Sequence, residues 1–531
     1  MDAKTREYWL STIYLGVFLM LLGALSFIYL NFWAFLAAHA GELLLAGPYD
    51  WADTAVFTDM IAHGHLFTPD PHFIAGGTIW GLFPPLFMIL AAGVNSIVGN
   101  LSITFILLSF VMQVLVLYLV AKDWPHPAQK GFLILLLAFN MLTWHYFPIQ
   151  MRLREQLAVL FMVLMFKNPL RLPPMAAYGV FSALILLTQP TVAPLALLFF
   201  PLHSAGWDWR RLDKRLLLLI PLLVALFFFI YSEHLQLKAA GYALAGAIGF
   251  AHVLIDLYTQ YFTILFFLIA ILPFFLLFAH PNPVRLVWMA YASGLAGIGI
   301  IVSFFPHLFL SLISPLAEDA NLMLYPVFAF MALFPPSRPP AGREIRWLWL
   351  LLLTQLAFSV VYSPIGTLPN VFNGSYTTAL IPDNSTLLSV TVFFWAGPNE
   401  ILFKSFDFHY MCELYLKNRS VQTYYSPMQQ FYDTERLWPD VQQIARAAAS
   451  KDAASCRPAA MRLSSRTDYL SLLLIGLDSS NTSWSYSVKR TLMDPKFTSD
   501  CGLEVLAPSG PNANESFVLY RLRTGGTGGK G

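Results

Sequence analysis

Asp53 is the residue whose type and setting point most directly to chemistry. An aspartate can take the proton from an attacking hydroxyl when its surroundings raise its pKa or fix its position. It stands in WADTAVFTDMIAHG, where helical spacing puts Asp53, Phe57 and Met60 on one stripe. Asp50 lies three residues before it and Asp59 six after, so the three acids do not all face one point. If the stripe lies on a membrane surface, Asp53 meets the bilayer edge, where a lipid-linked substrate presents its head group.

The stretch around it has an unusual charge balance. Asn31 to Trp80 holds five acids (Glu42, Asp50, Asp53, Asp59, Asp70) and four of the twelve histidines, with no Lys or Arg. It follows an apolar run at 8–30 preceded by Lys4 and Arg6, which predicts a cytoplasmic N-terminus and an outer loop at 31–80. A solvated loop is one reading. Phe, Ile and Trp threaded through the polar positions favour a loop packed on the membrane. Ala38-His39-Ala40 resembles a signal-peptide cleavage site, but the apolar run is longer than the roughly 7–15 residues of such a region, so a retained anchor is expected.

Composition sets the class. The chain has 531 residues, 57% hydrophobic and 12% charged, with mean hydropathy +0.60. That is the composition of a polytopic membrane protein. The net charge of +2 says nothing about nucleic acid, and with no basic, aromatic-interleaved patch no nucleic-acid partner is expected. Apolar blocks predict spans at 8–30, 81–99, 101–121, 130–147, 153–167, 175–203, 216–231, 258–279, 285–313, 320–335 and 346–363, eleven in all, ending outside. Arg210, Arg211, Lys214 and Arg215, then Arg285, then Arg338, Arg343 and Arg346 fall inside in this scheme. Lys122, Lys130, Lys167 and Arg171 fall outside, against the positive-inside rule. Residues 232–257 are more polar and predict a helix lying along the outer surface.

The fold expected is an all-α polytopic membrane protein, residues 1–363, with a small extracytoplasmic α/β domain at 364–523 and a flexible tail at 524–531. Leu437 to Ser450 reads as an amphipathic helix and Glu515 to Arg523 alternates as a strand. The apolar patch Leu387 to Phe403 could instead lie on the membrane. Five N-x-S/T sequons (Asn373, Asn384, Asn418, Asn481, Asn514) add weak support for an external face. The three cysteines, Cys412, Cys456 and Cys501, have no metal-site spacing. In an oxidising compartment Cys456 and Cys501 would be joined; three free thiols are the alternative.

Five elements in order carry a family resemblance. Asp53, Phe57, Ala62 and Gly64 are followed by Phe83-Pro84-Pro85-Leu86-Phe87 at the next apolar run. LTQPTVAPLALLFF then precedes the basic WDWRRLDKR, and Ser314-Pro315 precedes Asn321 and Tyr325-Pro326. In residues 1–360 the chain resembles the GT-C superfamily of integral-membrane glycosyltransferases, above all the polyprenyl-phosphate-mannose-dependent mannosyltransferases. The stretch 232–257 would match that fold's second long external loop. Gln189 stands where relatives often have Lys, and Ala320 and Asn321 where paired histidines are expected, with Asp319 before them.

The resemblance implies an inverting transfer from a polyprenyl-phosphate-linked sugar to a hydroxyl of a glycan, glycolipid or protein, with Asp53 as general base. The leaving phosphate needs cations or polar donors. Arg152, Arg154, His63 and His65 are candidates, with Asp50, Asp59, Gln189, Asp319, Asn321 and Tyr325 as further substrate contacts. The span count puts Arg152 and Arg154 inside, in conflict with that role. No cofactor is implied; a divalent metal on Asp50 and Asp53 is conceivable, since some of the superfamily use one. A transporter and a non-catalytic assembly protein of the cell envelope are the rival classes.

Overall fold

The computed structural model describes residues 49–75, 78–80, 84–124, 153–244, 324–335, 381–393, 402–404, 415, 420–425, 434–475, 484–509 and 515–523. For Asp50, Asp53 and residues 232–244 it describes the main chain alone. The expected spans at 8–30, 130–147, 258–279, 285–313 and 346–363 lie outside the described residues, as do Arg152, Asp319 and Asn321. The described chain is mostly helical, with one sheet.

The helical part is organised by α3 (Leu101–Ala121) and α4 (Leu153–Lys167), at the bounds their apolar runs predict. Asn100 caps α3 by accepting from the Ile103 amide. The two helices run side by side in the same direction. Ser109 donates to Gln156 at 2.8 Å towards their N-terminal ends, and Lys167 meets Asp123 at 2.8 Å just past their C-terminal ends.

The expected span 175–203 is two helices. α5 (Pro174–Thr188) and α6 (Ala193–Ser204) are joined by a 3-10 turn at Pro190–Val192. A continuous helix would hold Tyr178 and Phe200 about 33 Å apart. Instead their rings stack at 5.6 Å, and the Tyr178 hydroxyl donates to the Leu197 carbonyl. The cause is local. A residue before proline is pushed out of the α region, and Gln189, before Pro190, is extended at φ −156°. The pair is a hairpin, and it returns the chain to its starting end: His203 packs on Phe166, beside Lys167.

Two further corrections follow. The expected span 81–99 is α2 (Leu86–Val98), whose 13 residues reach only about 20 Å against a hydrocarbon core of about 30 Å. Its two ends both meet the start of α3, Asn95 at Thr104 and Phe87 at Phe105, so it lies across that end. α7 runs unbroken from Lys214 to Leu244, so residues 232–244 continue a long helix and do not begin a separate surface helix. Among the described residues, α3 and Lys214–Tyr231 of α7 are long and apolar enough to cross a membrane, which does not support the number eleven. α8 (Leu324–Ala332) joins the α3 and α4 end, where Ala332 accepts from the Trp124 indole.

Before these comes α1 (Tyr49–Ala62), packed on α2. Its closure is set by Gly64. The Gly64 amide reaches Ile61 and the His65 amide reaches Met60, the paired bonds of a Schellman end, with Gly64 at φ +88°.

The sheet is built from β1 (Phe73–Ala75), β2 (Thr386–Phe393), β3 (Leu402–Lys404), β4 (Gln422–Tyr425), β5 (Tyr469–Ile475), β6 (Leu503–Ser509) and β7 (Glu515–Leu522), in the order β1-β4-β2-β5-β7-β6 with β3 beside β2. β1, β4, β2 and β5 are parallel. The patch Leu387–Phe403 is therefore sheet where it is described, with Leu387, Leu388 and Val390 buried, and does not lie on a membrane. Helices α9 (Thr434–Ser450) and α10 (Ala453–Ser464) cross from β4 to β5, and α11 (Trp484–Met493) and α12 (Pro495–Cys501) from β5 to β6. They share a core with Leu388, Leu470, Leu472, Val518 and Tyr520. Cys456 of α10 and Cys501 of α12 are disulfide-bonded.

Candidate functional site

The hairpin sorts the loops into two groups. At one end lie Lys122 and Asp123, Lys167, and the Phe334, His203 and Trp207 rings, with Arg171 in the α4–α5 connection and Arg210, Arg211, Lys214 and Arg215 in the α6–α7 connection. These basic residues, which the span count divided between two faces of a membrane, share one end.

At the other end meet the starts of α3 and α4, the tip of the hairpin, and Tyr231 of α7. The Tyr231 hydroxyl donates to the Leu186 carbonyl at 2.7 Å. Arg154, in the first turn of α4, is close enough for its charge to act on the Tyr231 phenol. Gln189 is the first residue of the tip. Two nominated substrate contacts, Arg154 and Gln189, thus belong to the same end of the bundle.

That end also holds polar groups that the residue pattern alone does not nominate. Glu155 and Gln156 are buried at 3% and 1% exposure. Ser102 Oγ, Gln156 Nε2 and Thr191 Oγ1 are buried without a hydrogen-bond partner. A buried donor left unpaired costs about 1–3 kcal/mol, so each such atom asks for an explanation. The signal available in the sequence was the R-x-R-E-Q polar run opening an apolar helix.

The middle of the acidic helix is enclosed by protein. Thr54, Ala55, Val56, Phe57, Thr58 and Met60 are all buried, so Phe57 and Met60 of the expected stripe pack against protein. Asp50 lies in the first turn of this helix and Asp53 directly after it. The helix is linked to the polar end by α2, which packs on α1 on one side and on α4 and α5 on the other. Asp59 is engaged by His63, whose Nδ1 is 2.8 Å from the Asp59 carbonyl oxygen and 3.6 Å from its carboxylate. His65 Nδ1 sits 3.3 Å from the Thr68 hydroxyl. Both contacts are local to the end of α1 and the turn after it. Tyr325 is buried in the first turn of α8.

Among the described residues no group of three His, Cys, Asp or Glu side chains could hold a metal ion. Comparison with family models, with curated proteins and with solved structures finds no match to this chain.

Proposed function

We propose that the protein is a multi-pass membrane glycosyltransferase of GT-C type, moving a sugar from a polyprenyl-phosphate donor to a hydroxyl acceptor on the outer face. The observation that carries this reading is the end of the bundle where Arg154, Gln189 and the unpartnered Gln156, Ser102 and Thr191 atoms lie. Donors buried in a membrane interior without partners suit a ligand rich in acceptor oxygens, and a sugar phosphate is one. Asp53, on the helix that α2 ties to this end, supplies the base.

The same packing supports a topology. Basic residues mark the cytoplasmic side. The end with Lys122, Lys167, Arg171 and Arg210 to Arg215 is then cytoplasmic, and α2, too short to cross, stays at the outer face with the acidic helix. Arg154 becomes an outer residue, which removes its conflict with a donor bound outside. The Cys456–Cys501 bridge supports an extracytoplasmic sheet domain, because disulfides persist in oxidising compartments. The apolar residues exposed on α3 and α7, such as Leu107, Val111, Leu218 and Phe229, then face lipid.

The transporter reading draws on one observation, the broken α5–α6 hairpin, since irregular backbone at membrane depth lines cavities in such proteins. Asp53→Asn separates the two. The enzyme loses turnover by roughly 10²–10⁴ with its fold intact, whereas a transporter or an assembly protein keeps its activity. Full activity in Asp53→Asn refutes the assignment.

A further inference from the structure

The link between the acidic helix and the sheet domain is short and held at every step. After the Schellman closure at Gly64, the chain is pinned where the Trp80 amide donates to the Leu66 carbonyl and the Phe67 and Trp80 rings meet at 5.2 Å. It then reaches Asp70, which is 6% exposed. One Asp70 oxygen accepts from the His72 amide at 2.8 Å and the other from the Tyr415 hydroxyl at 2.7 Å. Tyr415 comes from the far part of the chain and is 1% exposed. Its ring stacks on Phe73 at 5.5 Å and stands edge-on to His72 at 4.7 Å. Beside this pair the Thr423 amide donates to the His72 carbonyl and Gln422 Nε2 to the Pro71 carbonyl, and β1 pairs with β4 as Phe73↔Thr423 and Ala75↔Tyr425.

A strand of three residues at the edge of a sheet has few backbone bonds to fix its register. The buried Tyr415–Asp70 bond supplies what the ladder lacks. Burial, reinforced by the Asp70 carboxylate, keeps the Tyr415 phenol protonated far above neutral pH, so it remains a donor. The Asp70 carboxylate in turn has both oxygens occupied, the condition for keeping a charge out of water.

We infer that Tyr415 is a positioning residue, through which the sheet domain sets the placement of the acidic helix α1. For catalysis this rests on the proposed role of Asp53; the mechanical link does not. The sheet domain is then part of the active-site scaffold and not an appended binding module. Tyr415→Phe keeps the stacked ring and removes the one hydroxyl. It leaves a buried carboxylate oxygen without its donor, so opening of the β1 contact rises by roughly 10- to 100-fold, the range for a lost hydrogen bond to a charged group.

The experiment is hydrogen exchange on the full chain in detergent, comparing Tyr415→Phe, Asp70→Asn and a control, Tyr520→Phe. Tyr520 is a buried tyrosine of the same domain whose hydroxyl donates to the Leu492 carbonyl, away from the loop. Tyr415→Phe should raise exchange in both 73–75 and 49–62. Asp70→Asn, whose amide can donate to the Tyr415 oxygen, should raise it less. Tyr520→Phe should leave 49–62 unchanged. Equal exchange at 49–62 in wild type and Tyr415→Phe overturns the inference, and so does an equal rise there in Tyr520→Phe. In turnover assays with a polyprenyl-phosphate sugar, Tyr415→Phe should lower kcat with donor KM unchanged. A wild-type protein without turnover refutes the proposed reaction and leaves the exchange result to decide the link.

Discussion

Removing the Cys456–Cys501 bridge by Cys456→Ala with Cys501→Ala is a perturbation whose size can be worked out beforehand. The bridge spans a sequence separation of 45. In the chain-entropy picture, closing a loop of that length restrains the unfolded domain by about 4 kcal/mol at 25 °C. Both sulfurs are fully buried in the core shared by α10, α12 and the sheet, so the native packing depends on these positions as well. About 4 kcal/mol corresponds to roughly a thousandfold rise in the population of the opened domain. The assay is native-state hydrogen exchange in the full chain, read at amides of α10, α12 and β5 that exchange through opening of the whole domain. Those amides should exchange roughly a thousand times faster in the double variant, while α3 and α4 are unchanged. Alkylation without reductant should label one thiol of the wild type, and after reduction all three. Unchanged protection would refute the stabilising role of the bridge, and three thiols labelled before reduction would refute the bridge and the support it lends to the proposed extracytoplasmic placement.

Three further outcomes test the packing. Lys122→Cys and Ser204→Cys should label from the same side of the membrane in intact cells, because the α5–α6 hairpin brings both to one end; opposite sides would restore a single span. Gly64→Ala should destabilise the end of α1 by about 1–2 kcal/mol, the cost of a left-handed backbone with a Cβ. A Cβ there meets nothing within 4 Å, so exchange at 60–65 reads the backbone cost alone. Gln156→Leu removes the unpaired amide together with the oxygen that accepts from Ser109, so thermal stability should fall slightly while donor KM rises by roughly 2- to 10-fold, the worth of one hydrogen bond. Lower stability with unchanged KM would make Gln156 a structural residue.

Elements that depend on their own residues were legible. Continuous apolar runs mark α3 and α4 to the residue, amphipathic spacing marks α9, and alternation marks β7. The helix around Asp53 and its stop at Gly64 are equally local. The hairpin was half legible: the run 175–203 is apolar throughout, so hydropathy reads one span, yet Gln189-Pro190 carries the break. Leu387 to Phe403 was ambiguous for a physical reason. A strand of a parallel sheet covered on both faces is as apolar as a membrane segment, and burial by protein or by lipid leaves the same composition.

Other features had no local signal at all. Phe73 to Ala75 is three residues long and finds its partner in β4, some 350 positions away in the chain; nothing in either segment names the other. The same holds for the Tyr415–Asp70 bond. For the candidate site, the residue types came from the sequence: an aspartate in a stretch without positive charge, arginines opening an apolar helix, a polar residue before proline. Which of them share an end of the bundle was decided by two packing events, α2 lying across α3 and α6 folding back along α5. In the proposed topology each removes a membrane crossing, and every crossing gained or lost transfers all later loops to the opposite face. Side-chain chemistry is a local property of the chain, but the end of the bundle at which it lies is a sum over the whole path.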